Sequence, residues 1–316
     1  MNIKKIAVIG AGTMGHGIAQ TYAANGYQTV CIATRESSLE KAKVLVAANV
    51  KSMLEKDFIT QEQADATFAN LSYTTDMSSI ADVDMVVEAV PEDPEKKVKI
   101  FAQLSAIVRP DCVLASTTSA MNIYKIAEAA GVKNPERVII THWCNPPHIL
   151  PLVEIVAGPN TAPEFIAEIR AQLEAMGKSP VVLKQYIPGF IINRLNLALM
   201  RECSYMVEQG WISAEDVDTA YCCNQGMKSP FEGPLEMMDY IGWDVGYGAG
   251  QLLYPAISSS VEPSKLALSM IQQGRLGVKA GKGLKDYTGR EPAEIQSTHN
   301  EKVLEVVKLA RKLKNL

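Results

Sequence analysis

The sequence has 316 residues, of which 47% are apolar and 21% are charged, and its formal net charge is −4. This balance suits two folded domains and lacks the basic excess of a nucleic-acid-binding protein. No apolar stretch approaches the roughly 20 residues of a membrane span, and the apolar run before Gly10 is too short for a secretory leader. Six cysteines without CxxC or metal-ligand spacing are typical of reduced thiols. We expect a cytoplasmic protein with a small-molecule partner and no metal.

Short strand-like runs alternate with helical patterns in the first part of the chain. This alternation predicts a parallel, doubly wound α/β sheet of the Rossmann type. A long, charged and mostly helical insertion is predicted between Leu39 and Phe68. The predicted strands cover residues 6–9, 29–32, 85–87, 113–115, 138–140, 152–156 and 180–183, and the first predicted helix covers residues 15–24.

The pattern changes around residues 186–189. A strongly apolar helix is predicted from Ile191 onward, and glycines separate the helical runs that follow. An amphipathic stripe at residues 301–313 ends the pattern. We therefore predict a dinucleotide-binding domain over residues 1–186 and an all-α domain over residues 187–316. The apolar character of the second domain favours a homodimer.

The turn after the first predicted strand carries the sequence GAGTMG. Its glycines follow a strand and open a helix, which permits a tight turn and the close approach of a pyrophosphate. Amides at the helix N-terminus supply positive potential for that phosphate. A structural turn with incidental glycines is the alternative. The predicted dinucleotide-binding residues are Gly10, Gly12, Thr13, Met14 and Gly15.

The residues after the second predicted strand bear on the choice of cofactor. NAD sites usually place an acidic residue about 20 positions after the glycines, where it binds the ribose 2'-hydroxyl. The chain has Ala33, Thr34 and Arg35 there instead. Because Arg35 and Thr34 suit a 2'-phosphate, local charge favours NADP over NAD. The alternative is that Glu36 binds the ribose of NAD.

One histidine has the setting of an acid–base group. His142 lies between an apolar strand and a proline-restricted turn at residues 145–147, and Glu154 follows in the next predicted strand. Histidine takes and returns protons near neutral pH, and a carboxylate can fix its tautomer. With the glycine loop, this pair indicates a dehydrogenase. The other histidines are interpreted as packing, surface or rim residues: His16, His148 and His299.

Five motifs follow one another along most of the chain. They are the glycine loop, VEAVPED at residues 87–93, LASTTS at 114–119, the His142 block, and GFIINRL at 189–195. In this order they resemble the 3-hydroxyacyl-CoA dehydrogenase family, including its shorter relatives that act on free hydroxy acids. Such an ordered set is far more specific than any one of its members.

The resemblance implies interconversion of a 3-hydroxy acid, free or CoA-linked, and its 3-oxo form by hydride transfer with NAD(P). It implies that His142 is the general acid/base and that Glu154 orients it. Ser119 and Asn193 are expected to hold the substrate oxygen, with Asn145 in the same pocket. The positions implied for cofactor binding near the nicotinamide are Ala89, Val90, Glu92 and Lys97.

Several of these residues have simpler alternatives. Ser119 is also suited to capping a helix, and Asn193 to capping or bridging backbone. Lys97 belongs to a run of charged residues that is typical of a solvated helix face.

Departures from the acyl-CoA pattern concern the substrate. Pro151 replaces a lysine, Thr117 replaces an asparagine, and Trp143 is expected to narrow the pocket beside the base. By contrast, the run at residues 274–283 resembles a signature of short acyl-CoA enzymes, with a basic turn as its alternative. The sequence favours a small free acid over the NAD-dependent 3-hydroxybutyryl-CoA reaction. A non-catalytic dinucleotide-binding structural protein is the second alternative.

Overall fold

The computed structural model describes residues 3–314, and the chain divides into two compact units between Ile191 and Ile192. Within the described part of the first unit, eight strands form one sheet in the order β3-β2-β1-β4-β5-β6-β7-β8. The strands are β1 (Lys5–Ile9), β2 (Gln28–Ile32), β3 (Leu71–Thr74), β4 (Met85–Glu88), β5 (Val113–Ser116), β6 (Val138–Trp143), β7 (Leu152–Val156) and β8 (Ser179–Leu183).

Helices cover this sheet on both faces, as the doubly wound prediction requires. Alternate residues of β1 enter two separate cores: Ile6 and Val8 pack in one, and Ala7 and Ile9 in the other. A strand buried on both faces is apolar throughout, which explains its continuous apolar run. The helices are α1 (Gly15–Ala24), α2 (Glu36–Glu55), α3 (Gln61–Asn70), α4 (Pro94–Ile107), α5 (Ile123–Ala129) and α6 (Pro163–Ala175).

The sheet departs from the prediction in two places. Strand β7 pairs with β6 in antiparallel orientation, because the connection at residues 144–151 is too short for the crossover that parallel strands need. The edge strand β3 was also not predicted, since its four residues, LSYT, form no apolar run. The predicted helical insertion corresponds to α2 and α3.

The second unit is built from helices, which confirms the all-α prediction. In the described chain every helix is too short or too polar to cross a membrane. The helices are α7 (Ile192–Glu208), α8 (Ala214–Cys223), α9 (Gln225–Lys228), α10 (Glu236–Ile241), α11 (Trp243–Leu253), α12 (Lys265–Gln272) and α13 (Pro292–Lys314).

The basic run at residues 274–283 forms a turn between the last two helices. Gly277 and Lys282 are bridged through their backbones. The Arg275 guanidinium donates hydrogen bonds of 2.9 and 2.6 Å to the carbonyl of Gly283. Arg275 therefore closes the turn from within.

Candidate active site

The predicted site residues of the first unit gather at one edge of the sheet. Strands β1, β2, β4, β5 and β6 are parallel, so their carboxyl ends share that edge. The strand order reverses between β1 and β4, and the crevice at such a reversal is where doubly wound sheets bind ligands. The glycine loop follows β1, and the loop at residues 89–93 follows β4.

The His142 side chain forms a buried pair with Glu154. The antiparallel register sets these two residues directly opposite each other, and Nδ1 of His142 lies 2.6 Å from Oε2 of Glu154. The other carboxylate oxygen, Oε1, accepts the Ile191 N–H at 2.7 Å. A carboxylate partner makes Nδ1 the donor, which leaves Nε2 as the proton-accepting nitrogen. The ring of Phe190 packs 5.3 Å from the imidazole centroid.

Trp143 points away from this pair. Consecutive strand residues face opposite sides of a sheet, and Trp143 is buried in the core on the α1 face, 5.7 Å from the ring of Tyr22. The expectation that Trp143 narrows the pocket beside His142 is therefore wrong.

The glycine loop has the backbone geometry of a phosphate cradle. A Cβ at Gly15 would lie 1.7 Å from the carbonyl oxygen of Gly10, whereas a Cβ at Gly12 would meet no atom within 4 Å. Gly15 is thus required by packing, and Gly12 leaves its backbone open to approach. Helix α1, which starts here, has no side-chain cap at Met14. These features fit a dinucleotide pyrophosphate. Thr13 is exposed at the same loop.

Strand β2 ends without a carboxylate. Thr34 and Arg35 are exposed after the strand, and Arg35 occupies the N-cap position of α2 with an extended backbone. Glu36 is the first residue of that helix.

The loops after β4 and β5 are joined through Glu92. Its Oε1 accepts the backbone N–H of Ser119 at 2.6 Å, and both its oxygens accept the Thr118 hydroxyl at 2.9 Å. Ser119 itself is exposed. The alternative role of Ser119 as a helix cap is wrong, because the side chain of Asn122 caps α5.

Lys97 is buried rather than solvated. Its side chain is 1% exposed, and Nζ lies 2.7 Å from Oε1 of Glu88, which is itself fully buried. The alternative that Lys97 belongs to an ordinary solvated run is therefore wrong. Sequence reasoning missed Glu88, although a carboxylate at the end of the apolar run 85–87 is a recognisable signal. Among the remaining cofactor candidates, Ala89 and Val90 are half-buried.

Two predicted substrate residues differ in their surroundings. Asn145 is exposed at the end of β6, where a cis peptide bond joins it to Pro146. Asn193 lies in the first turn of α7, in the second unit. Among the described residues, no group of three or more His, Cys, Asp or Glu side chains is arranged to hold a metal ion.

His148 was expected at the surface, and it is buried. Burial, together with smaller contributions from the positive charges that His16 and Lys178 can carry, lowers the pKa of His148 to about 3. Nδ1 of His148 has no hydrogen-bond partner among the described groups, so nothing there compensates a buried positive charge. The Lys178 ammonium donates to the carbonyl of Pro147 at 2.6 Å and so stabilises the turn that carries His148. His16, also buried, lies 2.7 Å through Nδ1 from the carbonyl oxygen of Gly12.

Comparison with protein families gives two adjacent matches. The family described as 3-hydroxyacyl-CoA dehydrogenase, NAD binding domain, matches residues 5–186. The C-terminal domain of the same dehydrogenase matches residues 189–287.

Individual relatives are named for two kinds of substrate, a pyridine carboxylate and an acyl-CoA. The chain is 32% identical to 5-formyl-3-hydroxy-2-methylpyridine 4-carboxylate 5-dehydrogenase from Mesorhizobium japonicum, over 96% of this chain and 97% of that protein. A crystal structure of a dehydrogenase of that name, described as an NAD+ dependent dismutase, matches with a TM-score of 0.90 and 31% identity over 99% of both chains. The (S)-3-hydroxybutyryl-CoA dehydrogenase of Ralstonia eutropha matches with a TM-score of 0.75 and 29% identity, over 91% of this chain and 100% of that one.

Substitution of Gly12 and of Gly15 should separate the packing role of the loop from its binding role. We expect Gly15→Ala to lower the melting temperature, because its Cβ would collide with the Gly10 carbonyl. Gly12→Ala should keep the wild-type melting temperature and weaken NAD binding roughly ten-fold or more, because its Cβ projects where a phosphate would approach. Thermal unfolding and fluorescence titration with NADH measure the two effects. An NADH affinity equal to that of the wild type in Gly12→Ala would contradict the assignment of this loop as the phosphate-binding site.

The buried His148 should make stability depend on pH. An unfolded histidine has a pKa near 6.5, so between that pH and about 3 the unfolded state binds a proton that the folded state refuses. The contribution of His148 to the free energy of unfolding is therefore fully present above pH 6.5 and is lost as the pH falls below that value. From pH 7 to pH 5 the loss should be about 2 kcal/mol.

Denaturant unfolding of His148→Leu at both pH values checks this expectation. The variant should lose about 2 kcal/mol less than the wild type over that interval. The exposed His299 gives a control, since His299→Leu should keep the wild-type dependence. Equal losses in wild type and His148→Leu would refute the assignment.

Proposed function

The chain belongs to the 3-hydroxyacyl-CoA dehydrogenase family and is an NAD(P)-dependent oxidoreductase of a 3-hydroxy substrate, and we propose that this substrate is a small, free carboxylic acid. His142 is the general acid/base of the reaction, and Glu154 orients it. The cofactor supplies the acceptor or donor of the hydride. The observation that carries the assignment of His142 is the 2.6 Å contact between its Nδ1 and Glu154.

The proton chemistry follows from that contact. With Nδ1–H bound to the carboxylate, Nε2 of His142 takes the hydroxyl proton as the alcohol is oxidised, and returns it when the ketone is reduced. Glu154 stabilises the imidazolium that forms, because a negative charge close to it lowers its free energy. The Ile191 N–H donates to the second carboxylate oxygen, so a hydrogen bond on each oxygen favours the orientation that faces the ring.

Neutral donors suit the substrate oxygen, which gains only partial negative charge during hydride transfer. We assign this role to Ser119 and Asn193, with Asn145 as a further pocket residue, on the strength of the family motifs. The exposed position of Ser119 and Asn145 is compatible with substrate contact.

The free-acid proposal is supported by the relatives. The structure with a TM-score of 0.90 is of a protein named for a pyridine carboxylic acid, whereas the acyl-CoA relative has a TM-score of 0.75. The turn at residues 274–283 is closed by Arg275 from within, so this basic residue has a structural role that does not require CoA. The second candidate is the 3-hydroxybutyryl-CoA reaction, which is favoured by the name of a relative that is 34% identical over 90% of this chain.

A homodimer is part of this proposal. In the second unit, α11 has no buried residue, and it exposes large apolar side chains of the kind that subunit interfaces cover. These include Trp243, Tyr247 and Leu252.

The family binds NAD, and we propose that this chain prefers NADP. The support is the local charge after β2, where Arg35 and Thr34 are exposed and no carboxylate ends the strand. Glu92, Ala89 and Val90 are assigned to the nicotinamide side of the same crevice.

The function is tested by following NADH and NADPH absorbance with free 3-oxo acids, a pyridine aldehyde carboxylate and acetoacetyl-CoA. We expect turnover with a free acid, and a loss of roughly 10²- to 10⁴-fold in kcat for His142→Gln. His299→Gln is the matched control and should keep wild-type kcat. A kcat/KM that is higher on acetoacetyl-CoA than on every free acid would establish the second candidate reaction. Absence of turnover with every compound would refute the proposed enzymatic function.

Cofactor preference is tested by Arg35→Ala. Removing the guanidinium should raise KM for NADP by roughly ten-fold or more, because a charge-assisted contact to the 2'-phosphate is lost, and should change KM for NAD far less. Steady-state kinetics with both cofactors measures the ratio. Equal changes for the two cofactors would exclude a role of Arg35 in binding the 2'-phosphate.

A further inference from the structure

A second buried ion pair lies beside the catalytic edge of the sheet. Nζ of Lys97 lies 2.7 and 2.9 Å from the two oxygens of Glu88, and both side chains are almost fully buried. Burying a charge costs several kcal/mol unless a partner of opposite sign is in contact with it. Each residue of this pair therefore depends on the other to remain in place.

The Glu88 carboxylate also holds backbone and strand ends. It accepts the Ser116 hydroxyl at 2.6 Å and the Val90 N–H at 2.8 Å. Glu88 ends β4 and Ser116 ends β5, so one carboxylate ties two neighbouring strand ends to the start of the loop at residues 89–93.

Lys97 extends this network toward Ser119. Its ammonium lies 3.6 Å from Oε2 of Glu92, and the Glu92 carboxylate accepts the Ser119 N–H and the Thr118 hydroxyl. An ammonium has three N–H donors, and this one donates to the two oxygens of Glu88 and to the Val90 carbonyl, which lies 3.5 Å away. These protein groups match its donor capacity.

We propose that Lys97 and Glu88 are positioning residues that act through Glu92 to hold the backbone of Ser119 in place. This inference rests on the proposed function, in which Ser119 binds the substrate oxygen. A displacement of about 1 Å in such a group lowers turnover by up to roughly a hundred-fold, so a buried pair that fixes it matters for catalysis.

The alternative is that the pair only stabilises the fold. Removing one partner leaves a buried charge, so Lys97→Met alone would lower the melting temperature in either case. The double variant Glu88→Gln/Lys97→Met separates the two roles, because it removes both charges and retains an acceptor for the Val90 N–H. Lys99, exposed on the same helix, provides the matched control Lys99→Met.

We expect Lys97→Met to lower both the melting temperature and kcat. In the double variant the melting temperature should return toward the wild-type value, whereas kcat should stay lower by roughly ten-fold or more. Hydrogen exchange of the Ser119 amide should be faster than wild type in both variants, because Lys97 no longer fixes the Glu92 carboxylate that accepts this amide. Lys99→Met should match the wild type in every measurement.

Recovery of wild-type kcat together with the melting temperature in the double variant would show that the pair is only structural, and would overturn the proposal. So would unchanged exchange at Ser119 in both variants. The exchange measurement needs no substrate. If exchange accelerates as expected while the wild type turns over none of the compounds tested, the link to Ser119 stands and the proposed function fails.

Discussion

The antiparallel pairing of β6 with β7 is the constraint on which the proposed chemistry depends. In the parallel part of the sheet, neighbouring strands end side by side and contribute loops to one edge. The reversal at β7 places Glu154 directly across from His142, within the sheet. A loop could supply a carboxylate too, but here backbone hydrogen bonds set the separation of the two side chains. The second oxygen is fixed by the Ile191 N–H, so the tautomer of His142 is set by the fold itself.

The buried carboxylates at this edge of the sheet meet the same requirement for hydrogen-bond donors. A carboxylate out of water must find donors at fixed distances, and each buried carboxylate here finds its donors on different segments of chain. Glu154 joins β6 to residue 191, and Glu88 joins β4, β5 and α4. Because each carboxylate must keep all of its hydrogen bonds, the chain segments that supply the donors are held at fixed positions relative to one another. Such networks rigidify the loops that carry exposed polar groups.

Much of the fold could be predicted from local sequence pattern. The features that could not be predicted are those that depend on tertiary contacts. The apolar runs predicted β1 and β6 because they are buried on both faces. The alternative that put Lys97 on a solvated face rested on its charged neighbours, but Lys97 stands four residues before Phe101 on the buried stripe of α4, which includes Leu104. The strand-end carboxylate Glu88 was within a recognised motif, yet the residue that neutralises it is set by packing between α4 and the sheet, which no local pattern encodes.

The alternation of side chains along β6 also limits what the His142 motif can reveal about substrate. His142 lies on the face of the sheet that Phe190 covers, and Trp143 enters the core on the opposite face with Tyr22. A departure from the family pattern at Trp143 therefore alters core packing, which constrains α1 and the glycine loop rather than the substrate. Selection among substrates has to come from exposed positions that surround the reacting groups. For this reason the identity of residue 143 bears on core packing and not on the choice between an acyl-CoA and a free carboxylic acid.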